Sequence, residues 1–414
     1  MPPESNVRTV LNSAAPGALI DVWGTGLGAV SGDEAGAPLP GDLSGVDVQV
    51  LVGGRQATIV YRGRSGCCAG LDIVRFATPE SVDGCYVPVV VVVDGVSSNF
   101  TTLPVSQSGA ACSSGSGGFT AAELEAAQRN GGLKVGTVSL ARTSISFSGP
   151  FPSQTFEIKT DIAFASFWNF NLTQLVQSQG FADISTIGAC TVFQIEGANT
   201  QSVDPIVPPG LDAGPSLTLT GPMGTKQIQR LAVGNYSASL SSSFPSLLTA
   251  GPKALAAASV NQSLPGFLEP GTYTVSGPGG NDVGPFTVSL DIPEPLNWTN
   301  RDTITSVPRS SNLTITWAGG GQNGTVRIFG TSVVDEGETA SGAVFFCREQ
   351  VSAGSFSVPS AVLSSLPASG MQDGIPFGIL GVGVISDGTR FNASGIDLGS
   401  LSHNDLTLKP VAFQ

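Results

Sequence analysis

The chain has 414 residues, room for two to four domains, with 54 Gly, 28 Pro and only 12% charged residues. Its mean hydropathy is positive, too apolar for a disordered chain, and its density of turn formers excludes a helical one, leaving many short strands joined by Gly/Pro turns. A net charge of −13 with no Lys/Arg cluster excludes nucleic acid and disfavours anionic membranes, and the longest apolar run, near Tyr86 to Val93, is too short to span a bilayer.

The first residues, Met1 to Asn6, carry neither the basic nor the apolar region of a signal peptide. The expectation is therefore an export signal already removed, or a protein that stays inside. The first strong element is Ala18 to Gly28, an apolar strand running into a glycine-rich turn. Gly24-Thr25-Gly26-Leu27-Gly28-Ala29 fits the turn that brings a backbone onto a pyrophosphate, but that chemistry needs a helix directly after it. The glycines and prolines between Val30 and Gly41 cannot hold one. The preferred reading is a strand whose glycines make a sharp exit, and no cofactor is expected.

Val46, Val48 and Val50 then alternate with polar residues, Gly53-Gly54 turns the chain, and Ala57, Ile59 and Tyr61 return in phase. Val87 to Val93 does not alternate and reads as a strand covered on both faces. Asp94-Gly95 is a hairpin turn.

These motifs together, a strand ending in Trp23-Gly24-Thr25-Gly26-Leu27-Gly28, an alternating strand with a Gly-Gly turn, and Val87-Pro88 to Asn99, resemble the IPT/TIG family of immunoglobulin-like β-sandwich modules over residues 8 to 106. The remainder, especially Leu211 to Ser216 and Leu296 to Trp317, resembles segments of large secreted bacterial proteins carrying such modules. The resemblance implies a sandwich fold and brings no activity with it.

Six cysteines are present, four of them within residues 67 to 112. Adjacent Cys67 and Cys68 close only a strained small ring, so the expected pattern has each reaching one of Cys85 and Cys112, two staples for the first domain. Four thiolates on zinc is the alternative, but the usual spaced C-x₂₋₄-C pairs are missing and no metal site is expected. Cys190 and Cys347 either pair or remain buried thiols. Disulfides favour export.

A Ser/Gly tract at 113–118 reads as a linker. Thr120 and Glu123 form a capping box for a helix that Gly131-Gly132 ends; it is read as a linker helix, with docking to a partner as the alternative. From Phe156 to Leu172 the even positions Phe156, Ile158, Ile162, Phe164, Trp168, Phe170 and Leu172 share one side of a strand and Phe167 faces the other way. The row is read as core because Asp161, Asn169 and Asn171 lie opposite; Trp168 and Phe170 are the candidate binding residues if it is instead a sugar-stacking platform. Ser216 to Gly221 and Gly271 to Gly277 alternate as strands, and Gly279-Gly280-Asn281-Asp282 resembles one turn of a calcium-binding repeat that works only in series. Pro293-Glu294-Pro295 reads as a stiff connector. Beyond it Leu313, Ile315 and Trp317 alternate, Asn323-Gly324 marks a hairpin, Val362 to Leu366 is a helical turn, Phe377 to Ile385 is a buried strand, and Leu406 to Val411 closes a sheet.

Few catalytic constellations fit. His403 is the single histidine and is expected in a solvated polar turn, Ser402 to Asp405. No nucleophile elbow, phosphate loop or zinc-protease motif is present. Asp33-Glu34 and Asp335-Glu336 are the nominal carboxylate pairs. The sequence therefore leads to an all-β chain of tandem antiparallel immunoglobulin-like sandwiches with one short linker helix: a first domain at 1–112, linker and helix at 113–133, then domains at 134–290 and 291–414. The expected function is a non-catalytic, exported protein with a binding, adhesive or structural role at the cell surface or outside the cell, its partner an extracellular glycan or protein. Contact surfaces in the first domain are expected on the 29–45 and 62–70 loops. The alternatives are a glycan hydrolase with a carboxylate pair in the middle domain and a subunit of a surface layer or filament.

Overall fold

The computed structural model describes residues 7–30, 41, 43–98, 101–113, 120–148, 155–171, 188–195, 208–241, 266–321, 324–335, 340–369, 371–372, 375–386 and 388–414. The protein is all-β, built of stacked and mostly antiparallel sheets.

In the first unit the alternating valines do what a period of two dictates: Val48, Val50 and Val52 point inward from the Val48–Val52 strand. Gly53 and Gly54 take positive φ, 58° and 74°, and turn the chain. The return differs from the expected hairpin. Only Arg55–Gln56 pairs back; the chain then crosses to the facing sheet, where Thr58–Arg64 pairs with Asp72–Ala77, which pairs with Leu19–Gly24. The Gly84–Val93 strand lies centrally in the other sheet, between Val48–Val52 and Thr101–Val105; Val87, Val89 and Val92 are buried and Val90, Val91 and Val93 half-buried. Asp94 and Gly95, both at positive φ, make the hairpin turn into Val96–Ser97. Phe76, Val87, Val89, Leu103 and Val105 complete this core.

The Ala121–Asn130 helix has the expected capping box and ends at Gly131 with φ 74°. It is no bare linker. Leu124 and Ala127 bury against Leu133, Val135, Leu398 and the Cys85–Cys112 disulfide, a small apolar cluster that joins the first unit to the rest.

One sheet carries most of the remaining strands. Its order by residue is 189–195, 340–350, 325–335, 378–385, 398–413, 132–148, 155–171, 235–239, 224–232, 216–221, 271–277 and 286–292. Within it the Leu398–Phe413 strand runs parallel to Gly132–Ser148, an exception to the antiparallel expectation. Two cores form on this sheet. One surrounds Phe167, Tyr236, Tyr273, Leu217 and Ile228; the other surrounds Trp298, Trp317, Phe345, Val382 and Phe413, covered by a small sheet of Leu296–Trp298, Leu313–Gly319 and Ser355–Val358. The 16-residue C-terminal strand stitches them together, with Leu401 in the first core and Val411 and Phe413 in the second. At its far end the sheet curls back, stacking Phe286 on Phe391 with ring centres 4.6 Å apart.

Candidate binding face

At Ile162 and Phe164 the row faces away from the core. On the Thr155–Asn171 strand the odd residues Asp161, Ala163, Ala165 and Phe167 are buried, whereas Ile162 and Phe164 are 38% and 46% exposed. The reason is packing depth. Ala163 and Ala165 leave room for Leu140, Val138 and Tyr236, which fill the inner face from the two neighbouring strands, and Asp161 is neutralised there by an arginine. Size was therefore a poor guide to side. Of the two candidate binding residues, Phe170 packs against the helix cluster and Trp168 is half-buried beside Gly210. Phe156 and Leu172 fall outside what is described of side chains.

The outward face around Phe164 is instead carpeted with hydroxyls and amides. Register places Ser237 and Ser239 opposite Phe164 and Ile162, Gln229 opposite Ser237, and Ser216 and Thr218 opposite Gln229 and Gln227; Thr218 and Thr220 then face Ser276 and Thr274, which face Thr287 and Ser289. Cross-strand bonds lock this carpet. Gln227 Nε2 donates to Thr218 Oγ1 at 3.0 Å, Thr272 Oγ1 donates to Asp291 Oδ1 at 2.6 Å, and the Thr274 and Ser289 hydroxyls meet at 2.8 Å. A shallow groove of about 420 Å³ opens on this face, lined by Ser216, Thr218, Ser276, Gly277, Pro278, Pro285, Phe286 and Thr287. Strands spaced at about 4.8 Å put Phe164 roughly 15–19 Å from the groove along the sheet. The alternation Ser216-Leu217-Thr218-Leu219-Thr220 announced the hydroxyl rows; what joins them to Phe164 is the strand order.

Behind the face sits a buried charge cluster. Arg142 Nε and Nη2 donate to the two Asp161 oxygens at 2.8 and 2.9 Å, and Nη2 also reaches Glu269 Oε1 at 3.1 Å. Asp161 Oδ2 further accepts the amides of Phe267 and Leu268 at 2.6 and 2.9 Å. Burial pushes the Asp161 carboxyl up, but the guanidinium and these amides outweigh it and hold it below the usual carboxylate range. A Cβ on residue 266 would strike both Arg142 and Asp161, so a larger residue there must displace the ion pair.

His403 is a correction to the expected solvated turn. It lies within the Leu398–Phe413 strand, 3% exposed, and neither ring nitrogen has a hydrogen-bond partner. Pairing opposite Leu140 turns its side chain to the core face that Leu401 also occupies. Burial, aided by nearby Arg142 and opposed by Asp161, pushes the imidazole down to about 4. An unfolded chain binds this proton near pH 6.5, so stability is fully present above that pH and is lost as the pH falls from about 6.5 to about 4, by roughly 3 kcal/mol in all. His403→Leu is expected to remove that loss. Urea titrations at pH 7 and pH 4.5 check it, and an unchanged pH dependence in the variant would refute the assignment.

The remaining sequence candidates resolve as follows. Cys85 pairs with Cys112 and Cys190 with Cys347. Cys67 and Cys68, expected to reach Cys85 and Cys112, are instead free in an exposed turn on the sheet facing that of Cys85. In the glycine-rich turn after Trp23 the Leu27 amide is already engaged. Asp72 already accepts the Leu27 amide at 2.9 Å and is paired with buried Arg64, whose guanidinium also donates to the Gly28 carbonyl. The Gly279-Gly280-Asn281-Asp282 turn is tied by Asp212, which accepts from Asn281 Nδ2 and pairs with Arg230 at 2.8 Å. No group of three or more metal-ligating side chains occurs among the described residues. Asp33, Glu34 and Glu336, and most of the 29–45 loop, lie outside the described residues, as does the Asp335 side chain. No described helix is long and apolar enough to cross a membrane.

No protein-family model and no curated protein matches this chain. Among solved structures it is similar to an I-band fragment of titin, at 7% identity over 96% of this chain and 94% of that one, with a TM-score of 0.13. It is also similar to a Salmonella alpha-2-macroglobulin variant, at 10% identity over 95% of this chain and 22% of that one, TM-score 0.16. Escherichia coli alpha-2-macroglobulin in its native conformation matches at 10% identity over 87% and 18%, TM-score 0.13.

Proposed function

We propose that this is an exported, non-catalytic β-sandwich protein that binds an extracellular glycan on the outward face around Phe164, in an adhesive or structural role at the cell surface. One observation carries the reading: a large ring stands exposed beside an almost uncharged sheet face of hydroxyls and amides. Such a surface matches a polyhydroxylated chain, whose hydroxyls need donors and acceptors and whose sugar C–H faces stack on aromatic rings. The distance from Phe164 to the groove suits an extended oligosaccharide better than a single sugar. Two disulfides support export, because they form and persist in oxidising compartments. Against a carboxylate pair in the middle of the chain stands the use already made of two of its acidic groups: Asp161 is sealed under Arg142 and Asp212 is held by Arg230.

A glycan-array screen of the intact chain is expected to return extended neutral oligosaccharides. Phe164→Ala is expected to weaken binding roughly 2- to 12-fold, the worth of one aromatic contact, with the far-UV circular dichroism unchanged. Binding that survives both Phe164→Ala and Thr218→Val, or a screen with no glycan bound, would overturn the proposal.

A further inference from the structure

We propose that the Ser65–Leu71 turn is a covalent self-association site, where Cys67 and Cys68 form disulfides to the same turn of a second copy of this chain. The other four cysteines are consumed in two internal disulfides, so these two thiols have no partner left within the chain. They serve each other poorly, since bridging adjacent residues closes a small ring through the intervening planar peptide. Both are exposed, and exposed thiols in an oxidising compartment are drawn into exchange.

The turn is also shaped for a second chain. The Ser65 hydroxyl accepts the amides of Cys67 and Cys68 at 3.3 Å each and lies 3.4 Å from the Cys67 sulfur, fixing both thiols at the tip. Hydrogen bonds from Cys68 and Ser65 hold the Cys67 thiol below its ordinary range, while the Cys68 thiol is pushed up. One sulfur is thereby the better nucleophile. Gly66 and Gly70 take positive φ, and a Cβ on either would meet nothing within 4 Å, so another backbone can come close. Residues 65–71 carry no charge, which spares two copies local repulsion despite the net charge of −13 on each. A two-fold axis through the tip satisfies every thiol at once, Cys67 bonding Cys68 of the partner subunit and Cys68 bonding Cys67 of the partner subunit.

The chemistry balances with a low-molecular-weight disulfide as oxidant. The Cys67 thiolate attacks it, forming a mixed disulfide and releasing one thiolate. The Cys68 thiol of the partner subunit, deprotonated, attacks the Cys67 sulfur and releases the second. Each bridge thus removes two electrons and two protons from the protein and reduces one disulfide to two thiols.

The inference rests on the oxidising setting and not on the glycan reading. Full-length protein incubated with oxidised glutathione is expected to give a species of twice the chain mass on non-reducing gels and in intact-mass spectra. Dithiothreitol should return it to the monomer, and digestion should yield a peptide spanning 65–71 linked to itself. Cys67→Ser/Cys68→Ser is expected to stay monomeric under the same treatment, with glycan binding by the monomer retained. A wild-type monomer that has lost two hydrogens by closing Cys67 onto Cys68, that carries only glutathione on either thiol, or that keeps both thiols free would each overturn the proposal. Dimers that persist in the double variant would overturn it as well.

Discussion

Replacing Cys190 and Cys347 together by serine is expected to lower folding stability by about 5 kcal/mol, the largest effect of any single cross-link in this chain. The two residues face each other in register on the 189–195 and 340–350 strands, yet stand 157 residues apart in sequence. A cross-link acts mainly by restricting the unfolded chain, and its worth grows with the logarithm of the loop it closes. The Cys85–Cys112 bridge closes a separation of 27 residues and by the same relation is worth about 3.5 kcal/mol. The ordering is therefore a sharper test than either number. Urea denaturation of the two double-serine variants reads it directly; equal losses would show that chain entropy is not the main term. Among the described residues, the 189–195 strand stands at one end of the large sheet's strand order.

Asp161→Ala is expected to cost about 3–5 kcal/mol, because it removes the buried, bidentate partner of the Arg142 guanidinium. The carboxylate accepts four hydrogen bonds, two from Arg142 and two from the amides of Phe267 and Leu268. Losing it unpins the 266–268 segment from the sheet and leaves the buried guanidinium with only the part-exposed Glu269 carboxylate, at 3.1 Å from Nη2. Arg142→Met/Asp161→Leu, which removes both charges, is expected to recover part of the loss and not all of it, since the two amides still lack an acceptor. The four corners of this cycle, measured as urea midpoints, separate the ion pair from the amide contacts. A loss below about 1 kcal/mol for Asp161→Ala would mean that the cluster is hydrated and contributes little.

How far the chain could be read in advance varied with the kind of signal. Where a side chain's neighbours are set locally, the reading was sound: the Thr120/Glu123 capping box, the Gly53-Gly54 and Asp94-Gly95 turns, and the Leu217/Leu219 alternation all follow from backbone geometry within a few residues. The Phe156-to-Leu172 strand shows where that logic stops. Its period of two was plain, but which face turned inward depended on Leu140, Val138 and Tyr236 arriving from other strands to fill the space over two alanines. Bulk pointed one way and the available volume decided the other. His403 shows the same limit, since its polar neighbours in sequence suggested a turn while a parallel partner strand some 260 residues earlier drew it into the core.

Composition, strand period and turn chemistry thus sufficed for an all-β chain of low charge with at least some of its cysteines paired, because each is a property of short stretches of backbone and of the summed surface. Which cysteines found each other, which face of the long hairpin met solvent, and where the hydroxyl rows met an exposed phenylalanine were decided only by tertiary packing. Those outcomes depend on contacts between residues tens to hundreds of positions apart, and a one-dimensional pattern carries no term for the distance between them.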